Sequence, residues 1–331
     1  MPDPSNIIAL ATAHWASMVL LTANRLNLFT LLSGAPRSPA DVAAKCGAHP
    51  RPLTMLLNAC VGQGLLRREN GCYVNSETAE AFLTPGKPGY LGDALRYSDD
   101  LYPVWGRLGE AIASNAPVLR PETILGADSE KTRNFVLGMH NRARGAAATL
   151  ASILDLRGRQ RLLDVGGGPG TYSILLIAQT PGLTATVLDL PAVVGIGQEL
   201  IAEAGYADRV RTLAGDYTTT EFPADHDTVL MSGILHRETP ESSQRLLGKA
   251  FAALPHGGLI VLSDVFFEDD AKDRPPFATL FALNMLLTSE HGGAHAKTEM
   301  SRWMSQSGFV DIRVKPLPPP MPHTVLLGTK P

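Results

Sequence analysis

Residues 162–173 read LLDVGGGPGTYS, and this stretch limits the possible folds more than any other. A short apolar run, Leu162 to Val165, carries Asp164 and breaks into Gly166, Gly167, Gly168, Pro169 and Gly170. Helix-forming residues follow from Ser173 to Ala178. Strand, tight turn and helix in that order make the first crossover of a nucleotide-binding α/β sheet. Glycine serves where a side chain would hold a ligand off the backbone, or where φ must be positive. The spacing here is G-x-G-x-G, and Thr171 stands where a dinucleotide fingerprint wants a third Gly or Ala. The loop therefore suits a cofactor without a pyrophosphate better than it suits NAD.

The surroundings extend the pattern. A second strand, Thr184 to Leu190, ends at Asp189, about 20 residues past the glycines, where an acid can take ribose hydroxyls. A third, Val210 to Gly215, runs into Asp216. Open α/β sheets bind ligands at the carboxyl ends of their strands. Both acids can equally cap a helix or turn. The alternation continues with a strand at Thr228–Leu235, a helix at Glu241–Leu254 and an apolar strand at Gly258–Phe267. Helices are expected at Pro275–Leu287 and, with Thr298 as N-cap, at Thr298–Ser307. Strands at Phe309–Lys315 and Thr324–Lys330 close the domain, with PLPPPMP between them as an extended connection.

At 331 residues the chain exceeds one typical domain, and its first half is helical. Residues 7–21, IIALATAHWASMVLL, lack the basic start and cleavage site of a signal peptide and are too short to span a bilayer. They predict a helix from Asn6 to Leu31, apolar on most sides, which must be buried against something. Ser38 caps a short helix to Lys45, Pro52–Gln63 forms another, and Gly64–Val74 reads as a hairpin turning at Asn70-Gly71. Helix, helix, hairpin is a winged-helix pattern, so a DNA-binding regulator is one alternative. Its recognition helix would be apolar and almost uncharged after Arg51, and the net charge is −3, which disfavours nucleic acid and anionic membranes as partners. Cys46, Cys60 and Cys72 have no metal-type spacing and read as reduced thiols of a cytoplasmic protein.

DVGGGPG, VLDLP, AGDY and ILH, in this order, resemble the motifs of class I S-adenosylmethionine (SAM) methyltransferases. More narrowly the chain resembles the caffeic acid, acetylserotonin and hydroxyneurosporene type of small-molecule O-methyltransferase. The resemblance implies a Rossmann-like, doubly wound SAM-binding domain preceded by a mostly helical dimerisation domain with a winged-helix unit. It divides the chain into residues 1–88 for dimerisation, a helical connector at 89–156 lining the acceptor's pocket, and the SAM-binding domain at 157–331. It implies a homodimer joined through the first helix. SAM contacts are then expected at Asp164, Gly166, Gly168, Gly170, Asp189, Leu190, Asp216, Tyr217 and Ser232. For the acceptor, FVLGM places Met139 against an aromatic ring, which a polarizable thioether suits. Trp105, His140, Phe281, Met285 and His295 complete the expected acceptor contacts.

His236 follows the fourth strand, where the family reads His-Asp-Trp and uses the histidine as general base; here Arg237 and Glu238 follow it. A phenol is mostly protonated at neutral pH, and an imidazole suits its deprotonation. Asp264 stands where plant relatives carry a Glu beside the histidine, and a carboxylate there orients the ring. The family's second catalytic Glu has no assignable counterpart in SEHGGAHAKT. An alternative follows: His236 with His291 or His295 and an acid would bind a metal, as in relatives that methylate carbon beside a keto acid. The expected activity is SAM-dependent methyl transfer to the hydroxyl of a small aromatic acceptor, with C- or N-methyl transfer, or a SAM-fold enzyme that does not methylate, as its rival.

Overall fold

The computed structural model describes residues 2–319 and 321–331. The chain forms two compact units, Met1–Leu101 and Tyr102–Pro331.

Unit 1 begins with α1 (Ser5–Arg25) and the four-residue α2 (Leu28–Leu31). The single helix expected to Leu31 is broken because Asn27 adopts the left-handed conformation at φ 53°. Only the end of α1 packs within the chain, through Leu21, Ala23 and Asn24. Ile7, Leu10 and Trp15 are 72%, 68% and 65% exposed, so burial within one chain does not account for the apolar face. At 21 residues α1 is long and apolar enough to cross a bilayer, by length and composition, which the shorter run did not suggest. Ser38 caps α3 (Pro39–Cys46) by accepting the Asp41 N–H at 3.2 Å. Then come α4 (Pro50–Gly62) and the hairpin β1 (Leu66–Glu69) and β2 (Cys72–Asn75). Asn70 and Gly71, both at positive φ, make its two-residue turn, as their chemistry predicts. Buried Tyr73 joins the hairpin to α4 through Asn58 at 2.6 Å. Next is α5 (Glu77–Leu83), and α6 (Gly92–Trp105) carries the chain across the unit boundary.

Unit 2 opens with α7 (Leu108–Ser114), a π turn at Thr123–Ala127 and the long α8 (Ser129–Ile153). Alternation then sets in: β3 (Arg161–Val165), α9 (Thr171–Gln179), β4 (Thr184–Asp189), α10 (Pro191–Glu203), β5 (Val210–Ala214) and β6 (Thr228–Ser232). It continues through α11 (Pro240–Ala253), β7 (Leu259–Asp264), α12 (Pro276–Thr288), α13 (Lys297–Gln306), β8 (Val310–Pro316) and β9 (Thr324–Thr329). The sheet order is β5-β4-β3-β6-β7-β9-β8, parallel except for β9, which runs antiparallel to both neighbours. Successive residues of β3 serve opposite cores: Leu162 belongs to the one that holds Leu150 of α8 and Ile177 of α9, while Leu163 belongs to the one that holds Leu246 of α11 and Trp303 of α13. Burial on both faces explains the near-continuous apolar strands.

Three local expectations change. The fourth strand stops at Ser232, Gly233 turns at φ 68°, and His236 sits on a 3₁₀ turn, Leu235–Arg237. The residue before Lys297 in α13 is Ala296, whose N–H is taken by Glu299 at 2.9 Å; Thr298 lies inside the first turn and bonds Asp270 instead of capping. PLPPPMP, whose Pro320 lies outside the described residues, closes the β8–β9 hairpin instead of extending, with the Leu317 N–H on the His323 carbonyl at 2.9 Å. The β8 edge carries a register shift between Val310 and Arg313, with Asp311 at φ 51°.

Lys330 donates to the carbonyls of Phe251 and Leu254 at 2.7 and 2.6 Å, closing the end of α11. A cation on terminal carbonyls matches the helix dipole. Lys330→Met is expected to lower unfolding stability by about 1–2 kcal/mol in urea titration, with the m-value unchanged.

Candidate functional site

The chain leaves β3 for β4 on one side and later places β6 on the other, so the topological switch lies between β3 and β6. Ligands of open α/β sheets bind there. The glycine turn occupies this point. A Cβ on Gly166 would lie 2.5 Å from Ile234 and 3.5 Å from the Tyr217 ring, and one on Gly167 would lie 2.5 Å from the Asp164 carboxyl carbon. A side chain at either position would force Ile234 or the buried Asp164 to shift. Gly168 and Gly170 both hold left-handed φ values.

Asp164 is fully buried beneath this turn. Ser173 donates to its Oδ2 at 2.7 Å, and its Oδ1 has no hydrogen-bond partner. Burial, helped by the nearby Asp189 charge, raises its pKa to about 6. Asp189 at the end of β4 accepts the N–H groups of Gly168 and Leu190, each at 2.7 Å, while burial pushes its carboxyl up. Asp216 closes its own turn, accepting the Thr218 N–H at 2.8 Å and hydroxyl at 2.7 Å, so turn capping is part of its role. Tyr217 donates its hydroxyl to Glu238 at 2.8 Å. Ser232 ends β6 opposite Ser263 of β7, beside the Tyr172 phenol. A bare glycine turn over an acid with an orphaned oxygen, with a second acid at the next strand end, fits a cofactor bearing an ammonium group and ribose hydroxyls.

On the far side of the switch, His236 Nδ1 lies 2.7 Å from Asp264 Oδ1. An ionised carboxylate only accepts, so Nδ1 carries the proton and Nε2 is left as a base. Burial alone would raise the Asp264 carboxyl; His236 and the Val265 N–H at 2.7 Å hold it below the ordinary range instead. The Phe281 ring meets the His236 imidazole edge-on at 4.8 Å. Met285 is buried one turn along α12. Trp105 donates from Nε1 to Asn284 Oδ1 at 3.1 Å; an indole N–H can only donate, which fixes that amide. Met139 is half-buried on α8. His140 Nδ1 lies 2.9 Å from the hydroxyl of Thr171, the first residue of α9, and burial, with Arg144 nearby, lowers its pKa to about 4.

His295 is placed differently from the other expected acceptor contacts. Its Nε2 lies 3.0 Å from the Leu235 carbonyl and 3.3 Å from the Ser243 hydroxyl, and its ring packs edge-on against Trp303. It braces the turn that carries His236 from behind. Among the described residues no three His, Cys, Asp or Glu side chains gather as metal ligands. Sequence reasoning missed Asn284, Lys249 and His323. His323 Nδ1 is buried without a partner just before Thr324, which pairs with Asp264. Only its position at the start of the last strand hinted at this. Lys249 donates to the carbonyls of Tyr217 and Thr220, both at 2.7 Å.

Fold and site together define an α/β enzyme domain that holds a nucleoside cofactor beside a histidine–carboxylate pair. Family profiles agree: an O-methyltransferase domain matches residues 120–310 and an O-methyltransferase dimerisation domain matches residues 8–85. The 3-hydroxy-5-methyl-1-naphthoate 3-O-methyltransferase of Streptomyces sahachiroi is 33% identical, covering 99% of this chain and 95% of the relative. The tetracenomycin polyketide synthesis 8-O-methyl transferase TcmO of Streptomyces glaucescens is 34% identical, covering 99% and 97%. The solved structure of the S-adenosylmethionine-dependent methyltransferase SibL superposes with a TM-score of 0.76 at 30% identity, covering 99% and 100%. The chain belongs to the SAM-dependent O-methyltransferase family, and it carries that family's dimerisation domain.

The raised Asp164 pKa has a measurable consequence. A carboxyl raised in the folded state contributes stability that is present below about pH 4 and lost as pH rises through about 6. Asp164→Asn should therefore make the ligand-free protein more stable at pH 8, by on the order of 2–3 kcal/mol, with little change at pH 4. The same substitution should remove the stabilisation given by S-adenosylhomocysteine. Denaturant titration at both pH values, with and without that ligand, checks both.

Proposed function

We propose that this enzyme transfers a methyl group from SAM to an aromatic hydroxyl of a small secondary-metabolite acceptor, with His236 as general base. The observation that carries the proposal is the 2.7 Å contact between His236 Nδ1, on the turn after β6, and buried Asp264 at the end of β7. When bound, SAM supplies an electrophilic methyl on a sulfonium sulfur. Asp164, the glycine turn, Asp189, Leu190, Asp216, Tyr217 and Ser232 would hold it, and Asp189 would take its ribose hydroxyls. His236 Nε2 would accept the proton of the acceptor hydroxyl as its oxygen takes the methyl group, the methyl–sulfur bond breaking and neutral S-adenosylhomocysteine leaving. Asp264 keeps the imidazole in the required tautomer and offsets the charge it gains. Phe281, Met285, Trp105, Met139 and His140 hold the acceptor's ring, so orientation contributes beside proton removal. Two relatives named for O-methylation of a naphthoate and of a polyketide support an aromatic hydroxyl as the target.

The exposed apolar face of α1 lies within the matched dimerisation domain, and we assign it to a homodimer interface. Three unpaired cysteines support a reducing, cytoplasmic setting.

Two experiments bear on this reading. His236→Ala should lower turnover of an aromatic hydroxyl acceptor by about 10²–10⁴ while leaving S-adenosylhomocysteine affinity nearly unchanged. Asp264→Asn should cost less, because the imidazole stays in place, and chelators should have no effect. Near wild-type turnover by His236→Ala would sink the general-base role. Separately, Leu10→Glu with Trp15→Glu should convert a sedimenting dimer into a monomer; an unchanged sedimentation coefficient would place the interface elsewhere.

A further inference from the structure

His236 is followed by Arg237 and Glu238 where the family reads Asp and Trp, and the proposed chemistry gives Glu238 no task. The structure ties it to the cofactor side of the site. One carboxylate oxygen accepts the Tyr217 hydroxyl at 2.8 Å, and the other accepts the Ser242 hydroxyl at 2.5 Å. Ser242 also gives its backbone N–H to Thr239, the N-cap of α11, at 3.1 Å, so the carboxylate is anchored to the start of that helix. The Tyr217 ring lies beside Ile234 on the surface that Gly166 faces, 3.5 Å from where a Cβ on that glycine would stand, with Ile234 closer at 2.5 Å. Lys249, further along α11, fixes the Tyr217 backbone through its carbonyl and packs over Phe222 at 4.5 Å. The Tyr217 backbone is thus held from α11, and its side chain from Glu238 just ahead of that helix. Burial, with Glu238 beside it, pushes the phenol's pKa up, so it stays a neutral donor.

We propose that Glu238 is a positioning residue for the cofactor: by holding the Tyr217 hydroxyl, it fixes an aromatic wall beside the glycine turn on which the nucleoside of SAM rests. A wall ordered before binding spares the ligand the cost of ordering it. The inference rests on the reading of Tyr217 as a cofactor contact.

Isothermal titration of S-adenosylhomocysteine into the full chain tests both. Tyr217→Ala should weaken binding most. Tyr217→Phe and Glu238→Ala should each weaken it roughly 3–10-fold, and the double variant no more than either alone. Glu238→Gln should retain most of the affinity, because its amide oxygen still accepts from Tyr217. In steady-state assays the KM for SAM should rise more than kcat falls. Unchanged affinity in Glu238→Ala, with Tyr217→Ala impaired, would overturn the proposal and leave the cofactor reading standing. Normal affinity in Tyr217→Ala would remove Tyr217 from the cofactor site, and the proposal with it. Should Glu238→Ala fail to fold, Tyr217→Phe removes only the hydroxyl, and its unchanged affinity would overturn the proposal equally.

Discussion

Everything at the site depends on the parallel hydrogen-bond register of β3, β4, β6 and β7. Val165 pairs with Leu188 on one side and Met231 on the other, and Ser232 pairs with Ser263. The strands therefore end level, and the chain leaves each at the same edge. The glycine turn, Asp189, the His236 turn and Asp264 come together because of that register, although Gly166 and Asp264 lie 98 residues apart in sequence. A slip of one residue in β6 would turn its side chains to the opposite face of the sheet.

The register also sets what each carboxylate is for. Asp164 lies under the turn with an orphaned oxygen and a raised pKa, whereas Asp264 is equally buried but holds a histidine and a backbone N–H and is lowered. Burial pushes both upward, and the difference comes from partners. One acid is left wanting a ligand; the other is already committed to orienting a base.

Legibility from the sequence follows the range of the interactions involved. The glycine turn, the Asn70-Gly71 hairpin and the Ser38 cap are steric or hydrogen-bonding demands within a few residues, and each could be read directly. Asp189 and Asp264 were readable because strand ends carry them. The early end of β6 was not, since it depends on Gly233 turning at φ 68° once its N–H has reached the Ser263 carbonyl across the sheet. The bracing by His295 of the Leu235 turn and the Glu238–Tyr217 contact are likewise pairings between distant residues, 60 and 21 positions apart. The break at Asn27 turns on one left-handed asparagine, a conformation that residue tolerates without requiring it.

The edge at β8 bears on how copies of the chain meet. An open strand edge is a template for pairing with another chain. Here the register shift at Val310–Arg313, the left-handed Asp311, and Lys315 and Pro316 at the strand's end interrupt any continuous ladder. Such features guard against strand-to-strand aggregation. With the sheet blunted on that side, its β8 edge is a poor acceptor for a strand of another copy, and the matched dimerisation domain carries the pairing of chains.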